Sequence, residues 1–104
     1  MLVGTTWKTR PLSAAQLNRM METWGKLEAA FAERGGAERL CWYITTDGSA
    51  GVTVNKVKDS DTADAWALEA SVALGEFLEL DTRILLDLDT ALPAITKAVE
   101  LKNS

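Results

Sequence analysis

Hydrophobic positions along this chain switch repeatedly between a period of two and a period near 3.6, and those switches mark its elements. From Leu2 to Thr9, the β-branched and aromatic residues Val3, Thr5, Thr6 and Trp7 predict a first strand. Arg10-Pro11 ends it, because proline has no N–H to give a ladder and biases its predecessor toward extended geometry. Ser13 and Gln16 then have capping-box spacing, with Leu12 and Leu17 at the flanking hydrophobic-staple positions. Leu17, Met20, Met21, Trp24, Leu27 and Phe31 recur at helical spacing until Gly35-Gly36, a C-terminal stop.

Two β-rich runs follow, Arg39–Thr45 and Val52–Val57, on either side of Asp47-Gly48-Ser49-Ala50-Gly51. Glycine supplies positive φ and aspartate initiates turns, so this stretch reads as a hairpin. It does not read as a phosphate loop, which would lead into a helix. After Asp59-Ser60-Asp61, a run of N-cap formers, a second helix carries Ala63, Trp66, Ala67, Ala70, Leu74 and Phe77 on one face, with Gly75 weakening its end. Leu80–Leu88 reads as a fourth strand. Asp89 or Thr90 would cap a last helix, Ala91–Leu101, with Leu92, Ile95 and Val99 turned inward and Pro93 in its first turn.

The resulting order, β-α-β-β-α-β plus a terminal helix, predicts an α+β fold. It is the ferredoxin-like arrangement of a four-stranded antiparallel sheet with both main helices on one face. One domain spanning residues 1–104 is expected at this length. The other face of such a sheet is normally polar. Here both parities of the strands are apolar: Leu2 and Gly4 oppose Val3 and Trp7, Leu40, Trp42 and Ile44 oppose Cys41 and Tyr43, and Leu85 opposes Ile84 and Leu86. Burying one set leaves the other as a patch of a kind monomers rarely show. The expected cover is a second copy of the chain, as a homodimer or higher oligomer.

With Gly4, Trp42, Val52, Val54, Ile84 and Leu86 assigned to the helices, the second face receives Val3, Thr5, Trp7, Tyr43, Thr53, Asn55, Arg83, Leu85 and Asp87. Asn is depleted in strands and a buried amide needs partners, so Asn55 stands out. With Thr5, Thr53 and Tyr43 it could hold a carbonyl or hydroxyl of a small, largely apolar molecule. Trp7, Tyr43, Thr53, Asn55 and Arg83 are therefore the candidate ligand-binding residues. The competing assignment places Asn55 at a solvent-facing strand end. Arg83 and Asp87 are read first as partners in cross-strand or intersubunit ion pairs, and Asp81 with Asp87 as an acid–base pair is weaker still. Trp24 and Trp66 belong to the core, and Trp7 and Trp42 to opposite sheet faces.

Composition narrows the chemistry. A net charge of −4, with the 11 basic residues scattered singly, argues against nucleic acid and anionic membrane as partners. There is no histidine and only Cys41. Histidine triads, histidine-ligated haem, cysteine-cluster zinc and intramolecular disulfides are thereby excluded, and no cofactor or metal is expected. No signal-like start or apolar run of membrane length is read, so a cytoplasmic location is expected.

The element order, the length and the strand TRILLDLD followed by TALPAITKAV resemble a dimeric α/β-barrel protein, similar to small bacterial members of unassigned function. The resemblance implies two sheets meeting across a dimer, with a cavity between sheet and helices or between sheets. Its relatives include antibiotic-biosynthesis-type monooxygenases, so a cofactor-independent oxygenase or isomerase using Asn55, Trp7, Tyr43 and Arg83 is one implied role. A structural or protein-interaction module with no ligand is another. Residue types alone leave the choice, and whether the chain is an enzyme, open.

Overall fold

The elements form in the expected order, and all 104 residues are described by the computed structural model. β1 (Leu2–Thr9) leads into α1 (Ala14–Arg34). Ser13 caps α1 by accepting from the Gln16 N–H, while the Gln16 side chain accepts from the Ser13 N–H at 2.8 Å. β2 (Ala37–Ile44) and β3 (Ala50–Val57) form the hairpin. α2 (Ser60–Leu74) is capped by Asp59, which accepts from the Thr62 N–H at 2.7 Å. β4 (Leu78–Leu85) and α3 (Leu88–Asn103) complete the chain.

The sheet order is β2-β3-β1-β4, every neighbouring pair antiparallel. This is the ferredoxin-like fold expected from the element order, with an added C-terminal helix. Packing falls into two apolar clusters between sheet and helices. Trp7, Met20, Leu74, Phe77 and Leu78 form one, and Val3, Val57 and Ala63 the other. Between them the layers do not close.

Several boundaries and facings differ from the sequence expectation. β4 starts two residues earlier than expected and stops at Leu85; Leu86 is exposed beyond the strand, and Asp87 is the N-cap of α3. Because α3 starts at Leu88, Pro93 lies in its second turn, where it cannot donate to the Asp89 carbonyl. Gly51 belongs to β3 rather than to the turn.

The larger difference is strand parity. Val3, Thr5 and Trp7 of β1, and Thr53 and Asn55 of β3, face the helices, where Val3, Trp7 and Thr53 are buried. Gly4 faces the other way and is covered by the Leu85 side chain, which a β-carbon there would meet at 2.8 Å. Only Trp42 and Ile84 keep the expected helix side, and Tyr43, Arg83 and Leu85 the expected opposite side. Trp7 and Trp42 therefore share a face, and both contact Trp24. Alternation predicts that two sets are separated; with both sets apolar, only the docked helices decide which is covered.

Candidate functional site

Small residues make the opening between the layers. On α2, Ala63, Ala67 and Ala70 face the sheet, and on the sheet the opposing positions are threonines and an asparagine. The result is a cavity of about 280 Å³, walled mainly by Trp7, Trp24, Leu27, Phe31, Trp66 and Leu74. Its floor is laid out by strand register. One row across the sheet runs Thr82, Thr5, Thr53, Trp42; the adjacent row runs Ile84, Val3, Asn55, Arg39.

Arg39 reaches this floor because of a β-bulge. The β2–β3 register slips between Arg39 and Cys41, so Leu40 is the extra residue. Arg39 and Trp42, three apart, then lie on the same face, and the guanidinium stands 4.6 Å from the Trp42 ring centroid. Trp42 in turn stacks on Trp24 at 5.7 Å, and Trp24 meets Trp7 edge-on at 5.1 Å.

Polar groups converge at this end. Arg39 Nε donates to Asn55 Oδ1 at 2.8 Å, and another guanidinium nitrogen donates to Glu28 Oε1 at 2.7 Å. The Trp24 indole N–H donates to the same Glu28 oxygen at 3.3 Å. Thr5 and Thr82 share a hydroxyl hydrogen bond of 3.1 Å. Glu28 and Arg39 are the only charged residues lining the cavity, and each neutralises the other. The site can therefore receive an apolar body and offer it a few neutral hydrogen-bonding groups.

Of the candidate residues from sequence, Trp7, Thr53 and Asn55 line this cavity. Tyr43 and Arg83 lie on the opposite sheet face, where Tyr43 is exposed and Arg83 Nε is 3.1 Å from Asp81. The five do not converge. Arg83 and Asp87 do not share a strand face, since Asp87 caps α3 by accepting from the Thr90 N–H at 2.8 Å. That hydrogen bond, first of all, holds the Asp87 carboxyl below its ordinary pKa, which is the opposite of what an acid catalyst needs. Sequence reasoning missed Arg39 and Glu28. Strict alternation from Trp42 would set Arg39 on the opposite side of β2, and Glu28 has no apolar character to mark it, although it sits one turn after Trp24 on α1.

No group of three or more Cys, Asp or Glu side chains is placed to hold a metal ion, and no helix is long and apolar enough to cross a membrane. No protein-family model matches the chain, and no curated protein does. Solved structures do. A de novo designed protein, Ferredog-Diesel, is 15% identical over 81% of this chain and 85% of its own, with a TM-score of 0.56. A protein of Nitrosomonas europaea, provisionally described as an antibiotic biosynthesis monooxygenase, is 12% identical over 83% of this chain and 99% of its own, with a TM-score of 0.55. At such identities the likeness is one of fold, the ferredoxin-like one.

Proposed function

We propose that the protein binds a small, largely apolar molecule in the cavity between sheet and helices, and does so as a homodimer. The cavity itself carries the binding reading. At roughly 30 Å³ per water, a volume of about 280 Å³ exceeds what a few structural waters occupy. Its make-up, aromatic and aliphatic walls with a few converging polar groups, is the usual one for a ligand site. Trp7, Thr53 and Asn55 supply wall and floor, with Arg39 and Glu28 at one end. A pure interaction module would have no use for so large a gap in a core of this size.

The dimer reading rests on the other sheet face. Leu2, Val52, Val54, Tyr43 and Leu85 share it, and Tyr43 is 69% exposed. α3 has no buried residue, and its Leu88, Leu92, Ile95 and Val99 are all exposed along one stripe. Exposed apolar surface of this kind is what a second copy would cover.

An oxygenase or isomerase role is the alternative that the Nitrosomonas europaea protein's description suggests. It asks Asn55, Trp7, Tyr43 and Arg83 to surround one substrate, and two of these lie across the sheet from the cavity. Binding is therefore the better-supported reading. The test is calorimetric titration of the protein with bicyclic aromatic compounds, beside an Ala67→Trp variant that fills the gap. Micromolar binding to the parent protein and none to the variant is expected. Equal binding to both would remove the cavity as the site.

A further inference from the structure

Two donors in the cavity have no partner within the protein. Thr53 is only 6% exposed. The side-chain hydrogen bonds around it join Thr5 to Thr82, Arg39 to Asn55, and Arg39 and Trp24 to Glu28; none reaches its hydroxyl. No side-chain polar atom is sealed away without a partner. The Thr53 hydroxyl must therefore open onto the cavity it lines. A hydroxyl that opens onto the cavity bonds to water or to a ligand there, and an occupant that displaces the water without replacing its hydrogen bond loses affinity.

Asn55 provides the second donor, and Arg39 determines its direction. A guanidinium N–H can only donate, so the Asn55 atom 2.8 Å from Arg39 Nε must be the carbonyl oxygen. The amide NH₂ is then turned away from Arg39. It too lacks a protein partner, and Asn55 lines the cavity two residues along β3 from Thr53, on the same strand face. At this point the cavity thus presents one group that only donates, the Asn55 amide NH₂, beside a Thr53 hydroxyl that can donate or accept. It also presents no free charge, since Glu28 takes that of Arg39 at 2.7 Å.

Resting on the reading of this cavity as a ligand site, we propose that its occupant is an uncharged molecule with a carbonyl-type acceptor oxygen. The Asn55 amide and the Thr53 hydroxyl donate to that oxygen. Arg39 is a positioning residue that holds the amide with its donors toward the ligand. A carboxylate is disfavoured, because it would have to displace Glu28 from Arg39 and lie beside Glu28's charge.

Three probes of nearly the same shape separate these cases: 2-acetylnaphthalene, 2-isopropylnaphthalene and 2-naphthoate, each titrated calorimetrically. The ketone is expected to bind about fivefold or more tighter than the hydrocarbon, the range one or two neutral hydrogen bonds give, and naphthoate most weakly. Asn55→Asp keeps an acceptor for Arg39 Nε and removes the donors. It should abolish the ketone's advantage, read as the ratio of the ketone and hydrocarbon affinities within the same variant. Thr53→Val, isosteric at a buried position, should reduce that advantage and serves if Asn55→Asp fails to fold. Equal affinity for ketone and hydrocarbon, a preference for naphthoate, or an advantage that survives both variants would overturn the inference while leaving the cavity as a ligand site. Failure of all three probes to bind would remove that underlying reading as well.

Discussion

Gly51 and Trp7 show how much one side chain's absence decides here. The two are paired across β1 and β3, and a β-carbon at Gly51 would lie 2.1 Å from the Trp7 ring. The indole occupies the space a side chain would take, which seats it against Trp24 and Met20 at the edge of the cavity. Gly51→Ala must displace the indole. It should cost about 1–3 kcal/mol, the usual range for overpacking, read as a lower urea midpoint. A variant as stable as the parent would mean the ring is seated elsewhere. At this scale Asn55 was legible as an unusual residue for a strand, while Trp7 and Thr53 are ordinary strand formers. Their side of the sheet was not legible, because polar Thr53 and Asn55 read as outward-facing while in fact they line an unfilled interior.

Elements were the most legible level. Caps and turns act through neighbours two to four residues away, so their signals are written locally. In the turn between β2 and β3, Gly48 adopts φ 75° and Asp47 Oδ1 accepts from the Thr45 hydroxyl, the Ser49 N–H and the Ser49 hydroxyl. Those bonds, the Thr45 hydroxyl's first, lower the Asp47 pKa from 3.8 to about 2. Since the folded value lies below the unfolded one, this contribution to stability is present above the unfolded pKa and is lost as pH falls through about 2. Carboxyl-carbon NMR titration should place the Asp47 midpoint near 2; a midpoint near 4 would show the turn's hydrogen bonds are not held in solution. What local signals missed were the Leu40 bulge and the end of β4. A bulge inserts one residue without changing composition, yet it moves Arg39 from one sheet face to the other.

For the whole molecule, the two faces of the sheet carry separate roles. The helix side holds the cavity; the other side, where Tyr43 and Leu85 are exposed, is the surface proposed to meet a second copy. If the dimer reading holds, sedimentation at micromolar concentration gives twice the 11.3 kDa chain mass. Tyr43→Asp combined with Leu85→Asp should then return the monomer, because burying two unpaired charges in an apolar contact is strongly unfavourable. A folded particle of 11.3 kDa for the parent chain would remove the partner copy but not the cavity, which lies within one chain.

By itself the sequence determined the order and kinds of the elements, the ferredoxin-like class and the chemistries a chain without histidine cannot perform. These depend on composition and on spacing within a few residues. Tertiary structure alone decided which apolar strand face lies beneath the helices, and with it which polar residues meet. Glu28, Arg39 and Asn55 come from three different elements, and they are joined by a register slip and by helix docking, neither of which leaves a periodic trace along the chain.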